Sequence, residues 1–230
     1  GYTPCFRFGW HTVKIDADSK QMRGNGCHPE EYSCHVSSAN FQIDESPLAY
    51  LRVRMQERAM CVQHPLRDLR AVVDDMHLAG DTLWEVRRGD VLVALAICRN
   101  ETDGTLLREC VFDDEVACHV LIDTIAAHYG RTEVDVLDTT GLVGDYFGMA
   151  RVIDAEAMLV AYAALHPELL LTLNVTDELL QENNGCYRLA EGQCRRLAET
   201  APGAETYTVA QLTHRVLTEE NPLMSLMMND

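Results

Sequence analysis

The spacing of apolar residues changes from a helical to a strand-like period partway along the chain, and this change constrains the fold most. Before it, Ser46-Pro47 opens a helix over Leu48–Gln56, and Leu66–Leu78 is a second amphipathic helix that Gly80 ends. After it, three strands are predicted, then a helix with acidic residues at its start, then one more strand: Thr82–Arg87, Val91–Cys98, Thr105–Phe112, 113–129 and Val134–Leu137. This order predicts an α/β unit in which an antiparallel meander precedes a helix and a last strand.

The segments on either side of this unit differ from it in pattern. Phe6–Ile15 alternates like a strand, Asp16–Glu31 is typical of a polar loop, and His35–Ile43 is compatible with a further short strand. This first segment holds too little apolar material for a core of its own. A Gly-rich boundary at Thr139–Gly148 precedes these predicted elements: strand Met149–Ile153, helix Ala155–Leu165 capped by Asp154, strands Leu169–Val175, Cys186–Leu189 and 195–198, and helix Val209–Leu217. The predicted domains are therefore 1–45, 46–147 and 148–230.

Composition and charge narrow the classes of partner. The chain has 230 residues, of which 47% are hydrophobic and 24% charged, as in ordinary globular domains. No apolar run is long enough to span a membrane. The formal charge of −17 disfavours nucleic-acid binding, because the phosphate backbone would be repelled. The same charge would attract a cationic substrate, or it serves solubility alone.

Cysteine usage and the first residue bear on the cellular context. The nine cysteines are scattered, several of them in apolar runs, as at Cys61, Cys98, Cys110 and Cys118. Scattered thiols of this kind are typical of a reducing compartment, so a cytoplasmic location is predicted. Because the chain starts with Gly1 in a segment too poor in apolar residues to fold alone, we expect it to be the rear portion of a longer protein.

Three sets of motifs, taken in order, resemble the GNAT acetyltransferases of the enhanced-intracellular-survival type. Phe6–Trp10 resembles the arginine-phenylalanine-glycine-aromatic segment late in the first GNAT domain of that family. The segments 80–96 and 107–111 resemble its second, degenerate GNAT-like domain. The segments 148–154, 173–177 and 184–189 resemble its C-terminal sterol-carrier-like domain.

The resemblance implies an α/β (α+β) fold: a degenerate GNAT-like mixed sheet with flanking helices, followed by a smaller sterol-carrier-like α+β domain. It implies an enzyme that transfers an acetyl group from acetyl-CoA to an amine-bearing small molecule or peptide. It also implies a homo-oligomer, either a trimer or a hexamer. Two other functions stay open: a sterol-carrier-like module that binds an apolar ligand, and a structural oligomerisation module without catalysis.

The resemblance also implies catalytic residues. The family's general acid is a tyrosine two places before the arginine of the Phe6–Trp10 segment, and Cys5 occupies that position here, with Tyr2 close by as a substitute. The family's base is the C-terminal carboxylate, here that of Asp230. Gln21–Gly26 matches the sequence pattern of the family's CoA phosphate loop, but polar residues precede it and no helix is predicted after it. We therefore expect the true loop to lie upstream of this sequence. Without that loop, the 230 residues alone should have little acetyltransferase activity.

Two further constellations have structural explanations. Cys27-His28 and Cys34-His35 could supply four zinc ligands, but their spacing fits no standard finger, so a polar loop is favoured. The acidic run 113–115 could be a catalytic carboxylate group, but its place at a helix start favours capping.

Overall fold

Alternating apolar positions in the strands of the first 138 residues produce a six-stranded mixed sheet. The structure, a computed structural model, describes residues 1–15, 31–36, 45–138 and 142–224. Its first seven strands are β1 Thr3–Phe8, β2 Trp10–Lys14, β3 Tyr32–Val36, β4 Thr82–Arg88, β5 Val91–Asn100, β6 Thr105–Phe112 and β7 Glu133–Leu137. The sheet has the order β2-β7-β6-β5-β4-β3. Its neighbouring strands are antiparallel except β6 and β7, which are parallel.

Three helices cover the two faces of this sheet: α1 Glu45–Gln56, α2 Leu66–Leu78 and α3 Glu115–Tyr129. Leu51 of α1 and Leu69 of α2 share one buried apolar cluster with Leu95 of β5. Ala94, the neighbour of Leu95 in β5, belongs instead to the cluster that contains Leu121 of α3. Successive residues of a strand point to opposite faces, so β5 is buried on both sides.

The residues predicted to cap or end α2 and α3 do so in this unit. The Asp114 carboxylate accepts a hydrogen bond from the Ala117 amide at 2.8 Å at the start of α3. Gly130 ends that helix with a φ of 64°, and Gly80 follows α2 with a φ of 91°. The predicted bounds of α2 and β6 are confirmed to the residue, as is the end of α3.

The second part of the chain forms a four-stranded sheet and two helices. Its elements are β8 Asp145–Ala150, α4 Ala155–Leu165, β9 Leu171–Thr176, β10 Gly185–Ala190, β11 Gln193–Leu197, β12 Glu205–Thr208 and α5 Val209–Thr218. The sheet order is β11-β10-β9-β12, and β8 pairs instead with β1. Helix α4 packs against β10 and β11, while α5 packs against β9 and β12.

The elements group into two compact units. One comprises Phe8–Asp145 with the segment that starts at Leu223, and the other comprises Gly1–Arg7 with Tyr146–Pro222. The mixed α+β fold class is confirmed. The three domains predicted at 1–45, 46–147 and 148–230 stay a prediction.

Several strand predictions differ from the structure. The strand predicted over His35–Ile43 overlaps β3 only at its first two residues, and residues 37–43 lie outside the described residues. The single strand predicted over 6–15 is divided at Gly9 into β1 and β2. The strand predicted over 149–153 starts earlier, at Asp145, inside the predicted linker. Strand β12 was not predicted, because its four residues include no run of apolar side chains and its parallel pairing with β9 is a long-range contact.

Replacing Asp154 with alanine should cost the second unit about 1 kcal/mol. The Asp154 carboxylate accepts a hydrogen bond from the Ala157 amide at 2.9 Å and so caps α4. The cost should be visible as faster amide hydrogen exchange in peptides of α4. Asp154→Asn is the matched control, because asparagine also caps helices; equal losses in the two variants would contradict a capping role.

Two further features concern membrane-spanning helices and the cysteines. In the described parts of the chain, no helix combines the length and the apolar composition needed to cross a bilayer. The cysteines at 5, 34, 61, 98, 110, 118, 186 and 194 are free thiols.

Candidate functional site

The Phe6–Trp10 segment bends at Gly9, where another stretch of backbone approaches. A Cβ atom added to Gly9 would lie 2.8 Å from the Cα of Gly144, and one added to Gly144 would lie 1.8 Å from the carbonyl oxygen of Phe8. The Gly9 carbonyl accepts a hydrogen bond from the Asp138 amide at 2.8 Å. The glycine of this segment is therefore required by a close backbone approach.

Arg7, also in this segment, links β1 to β8 through its side chain. Its guanidinium carbon lies 4.3 Å from the centre of the Tyr146 ring. Its Nη2 donates a hydrogen bond to the Tyr146 hydroxyl at 3.2 Å. The contact combines a cation–π interaction with a hydrogen bond, so Arg7 has a positioning role between the two strands.

The two candidates for the general acid have contrasting environments. Cys5 lies in β1 and is 1% exposed, whereas Tyr2 precedes the strand and is 68% exposed. Burial raises the pKa of the Cys5 thiol to about 11, although a backbone hydrogen bond from Ala150 lowers it in part. Cys5 therefore keeps its proton at neutral pH and is a core residue, while Tyr2 is accessible. The candidate base, Asp230, lies outside the described residues, as do Gln21–Gly26.

The start of α3 is where a strand leads into a helix, the local arrangement that can bind the phosphates of a nucleotide. Carboxylates occupy it here. Asp114 caps the helix and accepts a hydrogen bond from Tyr32 at 3.3 Å. Asp113 accepts one from the Tyr50 hydroxyl at 2.7 Å and lies 3.4 Å from a nitrogen of Arg54. Burial, and then the Asp113 carboxylate, raise the pKa of Tyr50. This helix start does not fit the pyrophosphate of CoA, because its amide donors face fixed negative charge. Capping is confirmed for Asp114, whereas Asp113 contacts Tyr50 and Arg54 instead.

Four polar residues, which we call the Glu109 cluster, interact electrostatically: Arg58 and Cys61, which are half-buried, and Glu109 and Asp138, which are buried. Parallel pairing between β6 and β7 covers only Leu106↔Asp135 and Leu107↔Val136. Glu109 follows these pairs on β6, Asp138 comes directly after the end of β7, and the two residues are 1% and 6% exposed.

The electrostatics of the Glu109 cluster couple its members. Burial lowers the pKa of Arg58, while Cys61, Asp138 and Glu109 raise it. Burial also raises the pKa of the Cys61 thiol to about 11, with Arg58 opposing and Glu109 adding to the shift. The cluster therefore couples one guanidinium, one thiol and two carboxyl groups. Sequence analysis missed it; the available signal was a glutamate inside the otherwise apolar end of β6.

The C-terminal segment is attached next to this cluster. The Val62 amide donates a hydrogen bond to the Leu223 carbonyl at 3.0 Å, and Cys61 forms a parallel bridge with Leu223. Leu223 is 8% exposed. The chain beyond Leu223 therefore starts from the connection between α1 and α2. Asp230 follows seven residues later and can reach at most roughly 25 Å from this anchor.

In the second unit, the motifs at 148–154, 173–177 and 184–189 surround one buried ion pair. Nη2 of Arg151 lies 2.6 Å and 2.7 Å from the two carboxylate oxygens of Asp177. Asn183 donates to the same carboxylate at 2.9 Å, and the Leu179 and Leu180 amides donate at 2.9 and 3.1 Å. Burial alone would raise the pKa of Asp177, but these hydrogen bonds and Arg151 lower it below its usual range. Because every partner is internal, the pair is structural.

Metal binding finds no support in the described segments. They contain no group of three or more His, Cys, Asp or Glu side chains arranged to hold a metal ion. Cys34 has a free thiol whose pKa burial raises to about 11, and His35 is exposed. Cys27 and His28, the other half of the hypothetical zinc site, lie outside the described residues.

Comparison with solved structures finds the same architecture in several N-acetyltransferases. A GCN5-related N-acetyltransferase from Anabaena variabilis matches 93% of the chain with a TM-score of 0.64 and 16% identity. One from Kribbella flavida matches 97% of it with a TM-score of 0.63 and 13% identity. The chain has the fold of these N-acetyltransferases. Eis1 from Mycobacterium abscessus matches 94% of it with a TM-score of 0.58 and 14% identity.

The coverage of the matched structures is partial. The chain spans 58%, 65% and 58% of the length of these three proteins. No protein-family model matches the sequence, and a comparison with curated proteins finds no match. The GNAT resemblance is therefore confirmed at the level of the fold.

Proposed function

We propose that the chain is part of an acetyl-CoA-dependent N-acetyltransferase that acts on an amine-bearing small molecule or peptide. The observation that carries this proposal is the match of 93% to 97% of the chain to the fold of GCN5-related N-acetyltransferases. The match to Eis1 supports the finer assignment to the enhanced-intracellular-survival type. The charge of −17 agrees with an amine substrate, since it attracts cations.

The CoA phosphates are proposed to bind outside the described residues. The carboxylates of Asp113 and Asp114 make the start of α3 unsuitable for them. The 230 residues alone are therefore proposed to have little activity. Exposed apolar residues of and near β8 (Phe147, Met149 and Ile153) support the proposed trimer or hexamer. The free thiols support the proposed cytoplasmic location.

The proposed base is the main-chain carboxylate of Asp230. A neutral amine is the nucleophile in acetyl transfer, so a base must remove the proton of the ammonium form. The anchor of Leu223 between α1 and α2 supports this assignment, because it fixes the start of the terminal segment beside the Glu109 cluster. Tyr2 and Cys5 stay the candidates for the acid; the exposure of Tyr2 favours it for contact with a ligand.

Extending the chain beyond Asp230 by two glycines should lower kcat about 100-fold or more, because the base is displaced. The measurement is release of free CoA from acetyl-CoA in the presence of polyamines, aminoglycosides or lysine peptides, with the polypeptide of the complete gene. Asp230→Asn is the matched control: it changes the side chain, keeps the terminal carboxylate and should leave kcat close to normal. If the extended chain works as well as the unmodified one, the carboxylate is not the base.

A further inference from the structure

The hairpin formed by β10 and β11 places two arginines opposite each other. A two-residue turn joins the strands, and Glu191 and Gly192 in it have φ values of 53° and 72°. Positive φ at both positions is typical of a type I′ turn, which fixes the register of a hairpin. In this register Arg188 faces Arg195.

This arrangement is unfavourable in isolation. Like charges directly opposite each other on a sheet destabilise the strand pair. Among the described residues, no carboxylate lies within ion-pair distance of Arg188 or Arg195. Nη2 of Arg195 donates only to the side-chain oxygen of Gln193, at 3.3 Å. The chain has 36 acidic residues against 19 basic ones, so an arginine pair that forms no ion pair with a carboxylate is contrary to its overall charge.

The two arginines border a hollow on the open face of the sheet. Arg188, Ala190, Gln193, Arg195 and Leu197 alternate onto one face, and together with Glu191 they line a cavity of about 310 Å³. The small Ala190 leaves space beside the long arginine stems. Arg188, Gln193 and Arg195 are exposed, whereas Tyr187 and Leu189 on the opposite face of β10 are buried. The arginine end of this hairpin face is therefore open to solvent.

We propose that this hollow, the arginine-pair site, binds the dianionic phosphate group of a phosphomonoester. Two guanidinium groups supply two positive charges and a fork of N–H donors each, which match the charge and the oxygen atoms of a phosphate dianion. A carboxylate has one charge and two oxygens, so it would satisfy the pair less completely. Thr172 of β9 pairs with Arg188 of β10 and adds a hydroxyl group on the same face of the sheet. The proposal does not depend on the proposed acetyl transfer, because it rests on residues of β9, β10 and β11 alone.

Titration of the protein with glycerol phosphate tests the site. Binding should shift the NMR signals of residues in β10 and β11, and it should weaken below about pH 6, where the phosphomonoester gains a proton. Acetate should bind more weakly, and glycerol should not bind. Arg188→Gln and Arg195→Gln should each weaken binding about tenfold, because each removes a charged donor.

Arg67→Gln is the matched control. It removes the same charge from a side chain that is 86% exposed in the other unit, and it should leave the affinity unchanged. A second arm, sedimentation with phosphatidylcholine vesicles that contain phosphatidic acid, distinguishes a lipid headgroup from a free phosphomonoester as the source of the group. The proposal is overturned if glycerol phosphate shifts no signals in β10 and β11, or if the Arg188→Gln/Arg195→Gln double variant binds it as well as the unmodified chain.

Discussion

Replacing Arg151 with methionine should destabilise the second unit by about 3–5 kcal/mol. The substitution keeps most of the apolar stem but leaves the Asp177 carboxylate, whose side chain is 1% exposed, without its cationic partner. A buried charge that loses its partner costs far more than a lost surface ion pair. Trp10 and Trp84, the two tryptophans, both belong to the first unit. The loss is therefore best measured as faster hydrogen exchange in peptides of β9 and β10.

Two variants sharpen this test. Arg188→Met removes an exposed arginine of the same unit and should not destabilise it, because it also relieves the charge repulsion with Arg195. Adding Asp177→Asn to Arg151→Met removes the orphaned charge and should restore part of the lost stability. If the amide hydrogens of β9 and β10 exchange at the same rate in Arg151→Met and Arg188→Met, the buried ion pair does not stabilise this unit.

The same pair predicts the acid sensitivity of the second unit. Because the pKa of Asp177 is lowered in the folded state, its contribution to stability is complete above about pH 5. It is lost progressively as the pH falls through and below the ordinary aspartate value of about 3.9. The Asp177→Asn variant should show a shallower loss of protection over this acid range.

Replacing Gly144 with alanine should destabilise the first unit by about 3 kcal/mol. Its φ of 89° is costly for alanine, by roughly 1–2 kcal/mol. The new Cβ would also lie 1.8 Å from the Phe8 carbonyl oxygen, so the backbone of β1 or of Gly144 must move, with a cost like that of overpacking, about 1–3 kcal/mol. Tryptophan fluorescence during urea unfolding measures this loss, since both tryptophans lie in the unit.

Gly80→Ala is the control for the backbone conformation alone. Gly80 has a φ of 91°, and a Cβ added there would meet nothing within 4 Å. We expect this variant to lose only about 1 kcal/mol, because the conformational cost is partly offset by a stiffer unfolded chain. Equal losses at the two glycines would show that the close approach of Gly144 to Phe8 has no energetic consequence.

The helices and the central strands could be predicted because their limits have local causes. Asp154 caps α4 and Gly130 ends α3 through their own side-chain and backbone preferences, which depend on few neighbours in the sequence. Strand β8 was placed too late, because it starts in a Gly-containing stretch and exists through its pairing with β1. Such a partner, more than 130 residues away, leaves no local signal.

The candidate site was less predictable for the same reason. Within the acidic run at 113–115, the assignment to capping is confirmed for Asp114, because a helix cap depends on neighbouring residues only. Glu109 and Asp138 come together only because β6 and β7 are parallel neighbours, and Leu223 joins Cys61 from the far end of the sequence. No spacing rule links these positions. The roles of Tyr2, Cys5 and Asp230 stay predictions that rest on the family resemblance.

The most direct test of the proposed function is the transfer of an isotopically labelled acetyl group. The polypeptide of the complete gene is incubated with labelled acetyl-CoA and, separately, with polyamines, aminoglycosides and lysine peptides, and the products are analysed by mass spectrometry. We predict label on an amine nitrogen of at least one of these classes. Absence of labelled product from all three, with a folded protein, would contradict the assignment as an N-acetyltransferase of these amines.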